Sequence, residues 1–153
     1  MKSSKTIYMD VCCLNRPFDD QVQSRVHLEA EAVLAILKEI EQGRWTLLAS
    51  EVVDLEVDRT ADRAKRERVR RVIPAKRQVV RLNEHAFARA LELESLGFGG
   101  FDALHLSAAE QAGADVFLST DGQLLRVAMR MQSQLRVRVE NPLTWLRDVI
   151  EEQ

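Results

Sequence analysis

Apolar and polar positions change period repeatedly along this 153-residue chain. Residues 6–11 (TIYMDV) form a short apolar run with Asp10 near its end, which predicts a strand. The segment LNRPFDD then breaks regular structure, because Pro17 lacks an amide hydrogen and Asn and Asp favour turns. From residue 23 to about 42 the period becomes helical. Leu28, Ala32, Ala35, Ile36 and Ile40 recur at three- and four-residue spacing, and Gly43 is placed to stop that helix. WTLLA at 45–49 predicts a second strand. Ser50 follows as the N-cap of a helix carrying Val52, Val53, Leu55 and Glu56. The charged stretch DRTADRAKRERVRR extends it as a helix or helical hairpin, interrupted by Pro74. Residues 78–82 predict a short strand, and Asn83 caps a helix over 84–96. A glycine-rich turn, GFGG at 97–100, leads into a helix opened by Asp102 and ended at Gly113. DVFLST at 115–120 is a strand with Asp121 immediately after it. A helix over about 123–131 and a last strand, LRVRV at 135–139, follow. Asn141 as cap and Pro142 at the first helical position start a closing helix. Strands alternate with helices throughout, which predicts an α/β fold: a parallel sheet with helices on both faces. No repeat, linker or low-complexity tract divides residues 1–153, so they read as one domain.

Composition sharpens this picture in a few places. At 46% hydrophobic and 30% charged the chain reads as globular, and with 5% aromatic residues its core must be aliphatic. A formal net charge of −2 counts against a protein that coats nucleic acid non-specifically. It leaves room for a local basic patch. Cys12 and Cys13 are adjacent and show no metal-binding spacing, so they read as small buried or half-buried residues at a strand end. No apolar stretch suits a signal peptide or a membrane span, and a cytoplasmic location is expected.

Four acids stand out from the 24 in the chain. Ligands of open α/β sheets bind outside the carboxyl ends of the strands. Asp10 and Asp121 fall at that edge. Glu56 sits within two turns of a helix leaving the same edge. Asp102 lies in the first turn of a helix, where the macrodipole favours an anion. Clustered carboxylates repel one another unless protons or cations neutralise them. Hard oxygen donors suit Mg²⁺ or Mn²⁺. Such an ion can activate water and stabilise the leaving oxygen of a phosphodiester.

The motifs around these acids resemble those of PIN-domain nucleases, especially the VapC-type toxins of bacterial toxin–antitoxin pairs. YMDVCCL is similar to the family's first strand with its leading Asp. SEVVDLEV resembles its S-x-x-x-x-x-E helix start, which makes Glu56 rather than Glu51 the second acid. FDALHLSAAEQAGADVFLSTD resembles its most specific stretch and supplies Asp102 and Asp121. Ser119 takes the hydroxyl position of that motif, where it would bond an acid or a water. NPLTWL resembles the closing helix. The resemblance runs nearly end to end. It implies a three-layer α/β/α sandwich with a mostly parallel sheet and a Mg²⁺- or Mn²⁺-dependent endoribonuclease. In this reading Asp10, Glu56, Asp102 and Asp121 hold the metal, and Ser119 assists. It also implies an RNA substrate, a homodimer and an inhibiting antitoxin partner. The segment CCLNRPFDDQVQSR is more elaborate than the usual toxin's start, with Asn15, Arg16, Asp19 and Asp20 as subgroup-specific candidates.

Other residues have competing readings. Arg16 lies at the functional edge for phosphate or acid contact, or pairs with Asp19 or Asp20 in the loop. Ten Lys or Arg residues fall between Arg59 and Arg81. They form a phosphate track or a solvated helix with pairs such as Asp62–Arg66. His105, three residues after Asp102, reads as a packing or helix-surface residue, and His27 and His85 as isolated. Trp45 and Trp145 read as core or interface residues, and Asp115 as a connector. Glu51 lies mostly on another helix face from Glu56. A different class of function is a non-catalytic RNA- or protein-binding module that keeps the acids. A phosphoryl-transfer or receiver domain using Asp10 ranks lower, because Cys12 occupies the position of the second Asp such phosphatases use.

Overall fold

The computed structural model describes residues 4–152. Its strands are β1 (Lys5–Met9), β2 (Trp45–Ser50), β3 (Gln78–Val80), β4 (Val116–Leu118) and β5 (Arg138–Glu140). Its α-helices are α1 (Val11–Asn15), α2 (Ser24–Glu41), α3 (Glu51–Asp58), α4 (Arg63–Val72), α5 (Glu84–Ser95), α6 (Gly100–Gln111), α7 (Gly122–Arg130) and α8 (Pro142–Glu151). The sheet is parallel throughout, in the order β3-β2-β1-β4-β5. Helices cover both faces and complete an α/β/α sandwich, as expected from the alternation of elements.

Burial follows position in the sheet. A parallel strand covered on both faces is apolar without alternation. Ile7, Tyr8 and Met9 of β1 and all three residues of β4 are accordingly buried. The edge strands are more open: Val79 of β3 and Arg138 of β5 are exposed. The charges of Arg138 and Glu140 on β5 resist pairing of that edge with other chains.

Several local expectations shift. The first strand ends at Met9, so Val11, Cys12 and Cys13 lie on the short helix α1 instead of a strand end. The side chain of Asp10 caps that helix by accepting from the Cys13 amide. LNRPFDD is therefore not simply irregular: α1 runs to Asn15, and a 3₁₀ turn spans Arg16–Phe18. Along α2, Leu28 and Ala35 are exposed while Glu29, Val33 and Leu37 point inward. An exposed Leu on a helix costs little, so spacing alone chose a slightly rotated face. Trp45 and Trp145 meet edge to face at 5.1 Å, with Trp145 buried. Asp115 is a structural connector, as read: its carboxylate accepts from the Thr6 amide at 2.7 Å and fixes β1 against β4.

Candidate active site

The chain builds β1, β2 and β3 outward to one side, then returns to place β4 and β5 on the other side of β1. The gap beyond the carboxyl ends of β1 and β4 is thus the point where strand order reverses, the usual ligand crevice of such sheets. Asp10 directly follows β1. Asp121 lies three residues beyond β4 and caps α7, accepting from the amides of Gln123 (2.9 Å) and Leu124 (3.3 Å). Its own amide donates to the buried Ser119 hydroxyl at 3.1 Å. Ser119 therefore bonds to the acid's backbone. Glu56 enters from α3 and Asp102 from the first turn of α6.

The charges of these acids reach one another. Asp10 is buried, and burial pushes its pKa from the ordinary 3.8 up to about 6. The Ser119 hydroxyl beside it, the Cys13 amide and His105 offset part of that rise, while Asp102 adds to it. Asp102 is likewise raised to about 6, first by burial, then by Asp121 and Glu56, with His105 opposing. The same charges act on Cys12. It is an exposed residue, yet burial of its thiol followed by the charges of Asp10, Asp121, Glu56 and Asp102 pushes it up to about 12. One point on α1 thus feels all four carboxylates. A thiol held protonated in this way is a poor nucleophile.

The donor set fits a hard divalent cation. Asp10 Oδ2 is buried and takes no hydrogen bond among the described residues, and a buried acceptor left bare is costly. No three His, Cys, Asp or Glu side chains among the described residues already stand at ligating distance from a common point. Mg²⁺ keeps several waters and is often held by only one or two carboxylates, so an open acidic site of this kind suits it. A cavity of about 140 Å³ opens beside Asp102 and Asp121, walled by Gly99, Phe98, Gln123 and Leu124. The larger groove of about 660 Å³ lies between α7 and β5 and includes none of the four acids.

A stability prediction follows from the two raised carboxyls. Their folded-state values lie above those of the unfolded chain, so the folded form holds more protons between about pH 4 and 6. The penalty is fully present above about pH 6 and is lost as pH falls through that value. Metal-free protein should therefore gain thermal stability between about pH 7.5 and 5.5. Added Mn²⁺ should raise the melting temperature more at the upper end of that range. Thermal scans in chelator and in Mn²⁺ measure both. A metal-free melting temperature that falls as the pH is lowered across this window rules the account out.

His105 is the residue that sequence reading undervalued. It is buried, and its Nε2 lies 2.7 Å from Glu56 Oε1. Its Nδ1 lies 2.6 Å from the Tyr8 hydroxyl, which is 2.7 Å from Ser50 Oγ. The available signal was its spacing: three residues after Asp102 keeps it on the same helical face. Burial, followed by the charges of Asp10 and Glu56 and partly countered by Ser50, holds the Tyr8 phenol well above its ordinary range.

The remaining candidates fall outside the cluster. Glu51 accepts from the Leu82 amide at 3.1 Å and serves the fold. Arg16 pairs with Asp19 at 3.0 Å, as the loop reading had it, and also faces the buried Glu29 at 3.1 Å. Asp20 accepts from the Val22 amide, and Asn15 Oδ1 is buried without a partner among the described residues. The basic helix α4 packs against α1 and α3. Asp62 caps α4 through the Lys65 amide instead of pairing with Arg66, which donates to the Thr60 carbonyl. Arg63 and Arg71 pair with Glu67, and Arg70 with Asp58. Arg59 lies 5.8 Å from the Phe101 ring centre and Arg68 5.9 Å from that of Phe18.

Comparison with known proteins places this arrangement. The family model of the PIN domain matches residues 7–129. The chain belongs to the PIN domain family. The matched span holds all four acids and Ser119, and PIN domains are generally nucleases that use divalent metal ions. Among solved structures, the chain is similar to one in the crystal structure of VapBC2 from Rickettsia felis bound to a DNA fragment from their promoter. The TM-score is 0.56 at 14% identity, covering 88% of this chain and 98% of that one. That likeness establishes a shared PIN fold. Among curated proteins no sequence matches. No helix among the described residues is long and apolar enough to cross a membrane.

Proposed function

We propose that this PIN domain is a Mg²⁺- or Mn²⁺-dependent endoribonuclease that hydrolyses RNA phosphodiester bonds. What supports this reading is that Asp10, Glu56, Asp102 and Asp121 lie on elements that meet at the switch point, with Asp10 Oδ2 buried and without a hydrogen-bond partner among the described residues. In this reading all four would hold the metal. The bound ion supplies a Lewis acid that activates water and stabilises charge on the phosphate. Asp10 and Asp121, each tied to helix amides, form the rigid part of the site. Ser119 fixes the backbone of Asp121 and lies beside Asp10. Arg59, with Lys65, Arg66 and Arg68 of α4, which have no ion pair among the described residues, lies on elements next to the acid-bearing helices, where these cations would meet the RNA backbone.

RNA is chosen as substrate, and the toxin role with its antitoxin partner, on the resemblance of the motifs to VapC-type toxins. The protein named in the similar structure, VapBC2, is itself bound to promoter DNA. We further propose a cytoplasmic homodimer. The exposed Leu28 and Leu34 of α2 and Leu55 of α3 supply apolar surface for the contact. The alternative, a non-catalytic binding module, draws on the absence of a pre-gathered ligand set among the described residues.

One experiment separates these readings. Defined transfer and ribosomal RNAs, with DNA of matched sequence, are incubated with the purified protein across a Mn²⁺ titration and in chelator. Internal RNA cuts that appear with Mn²⁺ and vanish in chelator are expected. RNA binding without cleavage at every Mn²⁺ concentration would instead establish the module.

A further inference from the structure

We propose that His105 is a positioning residue for Glu56, held in one orientation by a one-way chain of hydrogen bonds from Ser50 through Tyr8. This rests on the reading of Glu56 as a metal-holding acid.

The four acids are not equally restrained. Asp10 and Asp121 are helix caps, bonded to backbone amides. Glu56 has a longer side chain, about a third exposed, and its only side-chain hydrogen bond among the described residues comes from His105. Without that bond its carboxylate would sample several rotamers.

The direction of the chain follows from its Glu56 end. An ionised carboxylate can only accept, so a neutral ring presents its hydrogen from Nε2 to Glu56 Oε1 at 2.7 Å. Such a ring accepts at Nδ1, which takes the phenol hydrogen of Tyr8 at 2.6 Å. With that hydrogen committed, Tyr8 Oη accepts from the Ser50 hydroxyl 2.7 Å away. Ser50 Oγ also accepts from the Val52 amide at 3.1 Å, which its second lone pair allows. Every donor in this arrangement points toward Glu56. Tyr8 is itself immobilised by stacking on Phe117 at 5.3 Å. The sheet core thus aims a ring N–H at a half-buried acid. Partners that orient a metal-binding carboxylate typically matter by about 10–100-fold in affinity or rate.

A buried histidine that merely satisfies its own polar atoms would respond differently to substitution. The amide nitrogen of His105→Gln reaches the Nε2 position and can still donate to Glu56. The shorter amide of His105→Asn reaches only the Nδ1 position, keeping Tyr8 and losing Glu56. Mn²⁺ binding, followed by the paramagnetic resonance of free Mn²⁺, should weaken by about tenfold or more in His105→Asn and by only about threefold in His105→Gln. In a Glu56→Gln background, His105→Asn should add nothing. Nitrogen resonances of the ring in metal-free protein, above the ordinary imidazole range, should show a single tautomer protonated at Nε2. In Tyr8→Phe they should show a mixture of the two.

Equal Mn²⁺ affinities for wild type and His105→Asn overturn the proposal, and so does a wild-type ring protonated at Nδ1. Should His105→Asn fail to fold, the ring signals of wild type and Tyr8→Phe decide. If wild type binds no Mn²⁺ at all, the metal reading of the site fails, while the ring signals still judge the hydrogen-bond chain.

Discussion

Asp102→Asn is expected to fold as well as the parent chain while losing metal-dependent RNA cleavage by roughly a hundredfold or more. The size follows from what metal-assisted charge stabilisation is worth, several kcal/mol, at about 1.4 kcal/mol per factor of ten in rate. The fold should survive because Asp102 is not a structural acid. Its carboxyl is raised to about 6 by burial and by Asp121 and Glu56, so its ionised form is disfavoured where it stands. An uncharged amide of the same shape removes that repulsion. Metal-free Asp102→Asn should therefore melt at or above the wild-type temperature near neutral pH, and Mn²⁺ should raise its melting point less. Cleavage rates from a preparation free of contaminating nuclease, with melting curves on the same samples, test both halves. A variant that cuts as fast as wild type removes Asp102 from the site. One that is unfolded makes it structural.

Much of this site was legible in the chain because two of its acids are tied to element boundaries. Asp10 and Asp121 mark the ends of apolar runs, and both prove to be helix caps beyond neighbouring parallel strands. Their adjacency could not be read locally, since β4 joins β1 across more than 100 residues of sequence. Only the family resemblance separates Glu56 from Glu51 in the sequence. The structure gives Glu51 a fold-building bond to the Leu82 amide. Periodicity failed in the cases where polar groups are buried. Glu29 lies on the inner face of α2 and His105 on that of α6. A hydrophobic count says nothing of Glu29 and leaves His105 between packing and the helix surface, and it misses the partners distant in sequence that make their burial tolerable. The cysteines were misplaced for a different reason. Two apolar residues after a strand extend its pattern, and only the capping bond from the Cys13 amide to Asp10 shows that the chain has already turned into a helix.

The second large effect is expected at that buried glutamate. Glu29 is almost wholly inaccessible. Its Oε1 stands 3.1 Å from Arg16 Nε, in ion-pair range but not aligned for a hydrogen bond, while its Oε2 accepts from Arg25 Nε at 3.2 Å and from the Asn141 side chain that also caps α8. Arg16 in turn donates to Asp19 and reaches the Thr120 carbonyl at 3.4 Å, next to Asp121. Removing one partner of a buried ion pair costs about 3–5 kcal/mol, because the other charge is left uncompensated. The exposed Arg25 and the Asn141 amide remain with Glu29, so Arg16→Met should fall at the lower end, about 3 kcal/mol. For a domain of this size that is roughly 6–12 °C in melting temperature. Replacing both charges with apolar residues of similar volume is often close to neutral. The double variant Arg16→Met/Glu29→Met should therefore be more stable than Arg16→Met alone. Such a reversal cannot arise from two independent losses of packing, which would add. Denaturant unfolding of wild type, both single variants and the double variant measures the coupling. Additive losses would show that Arg16 and Glu29 do not act as a pair. A coupled result would tie Arg16, the loop residue at the functional edge that also reaches the Thr120 carbonyl, to Glu29 as a pair.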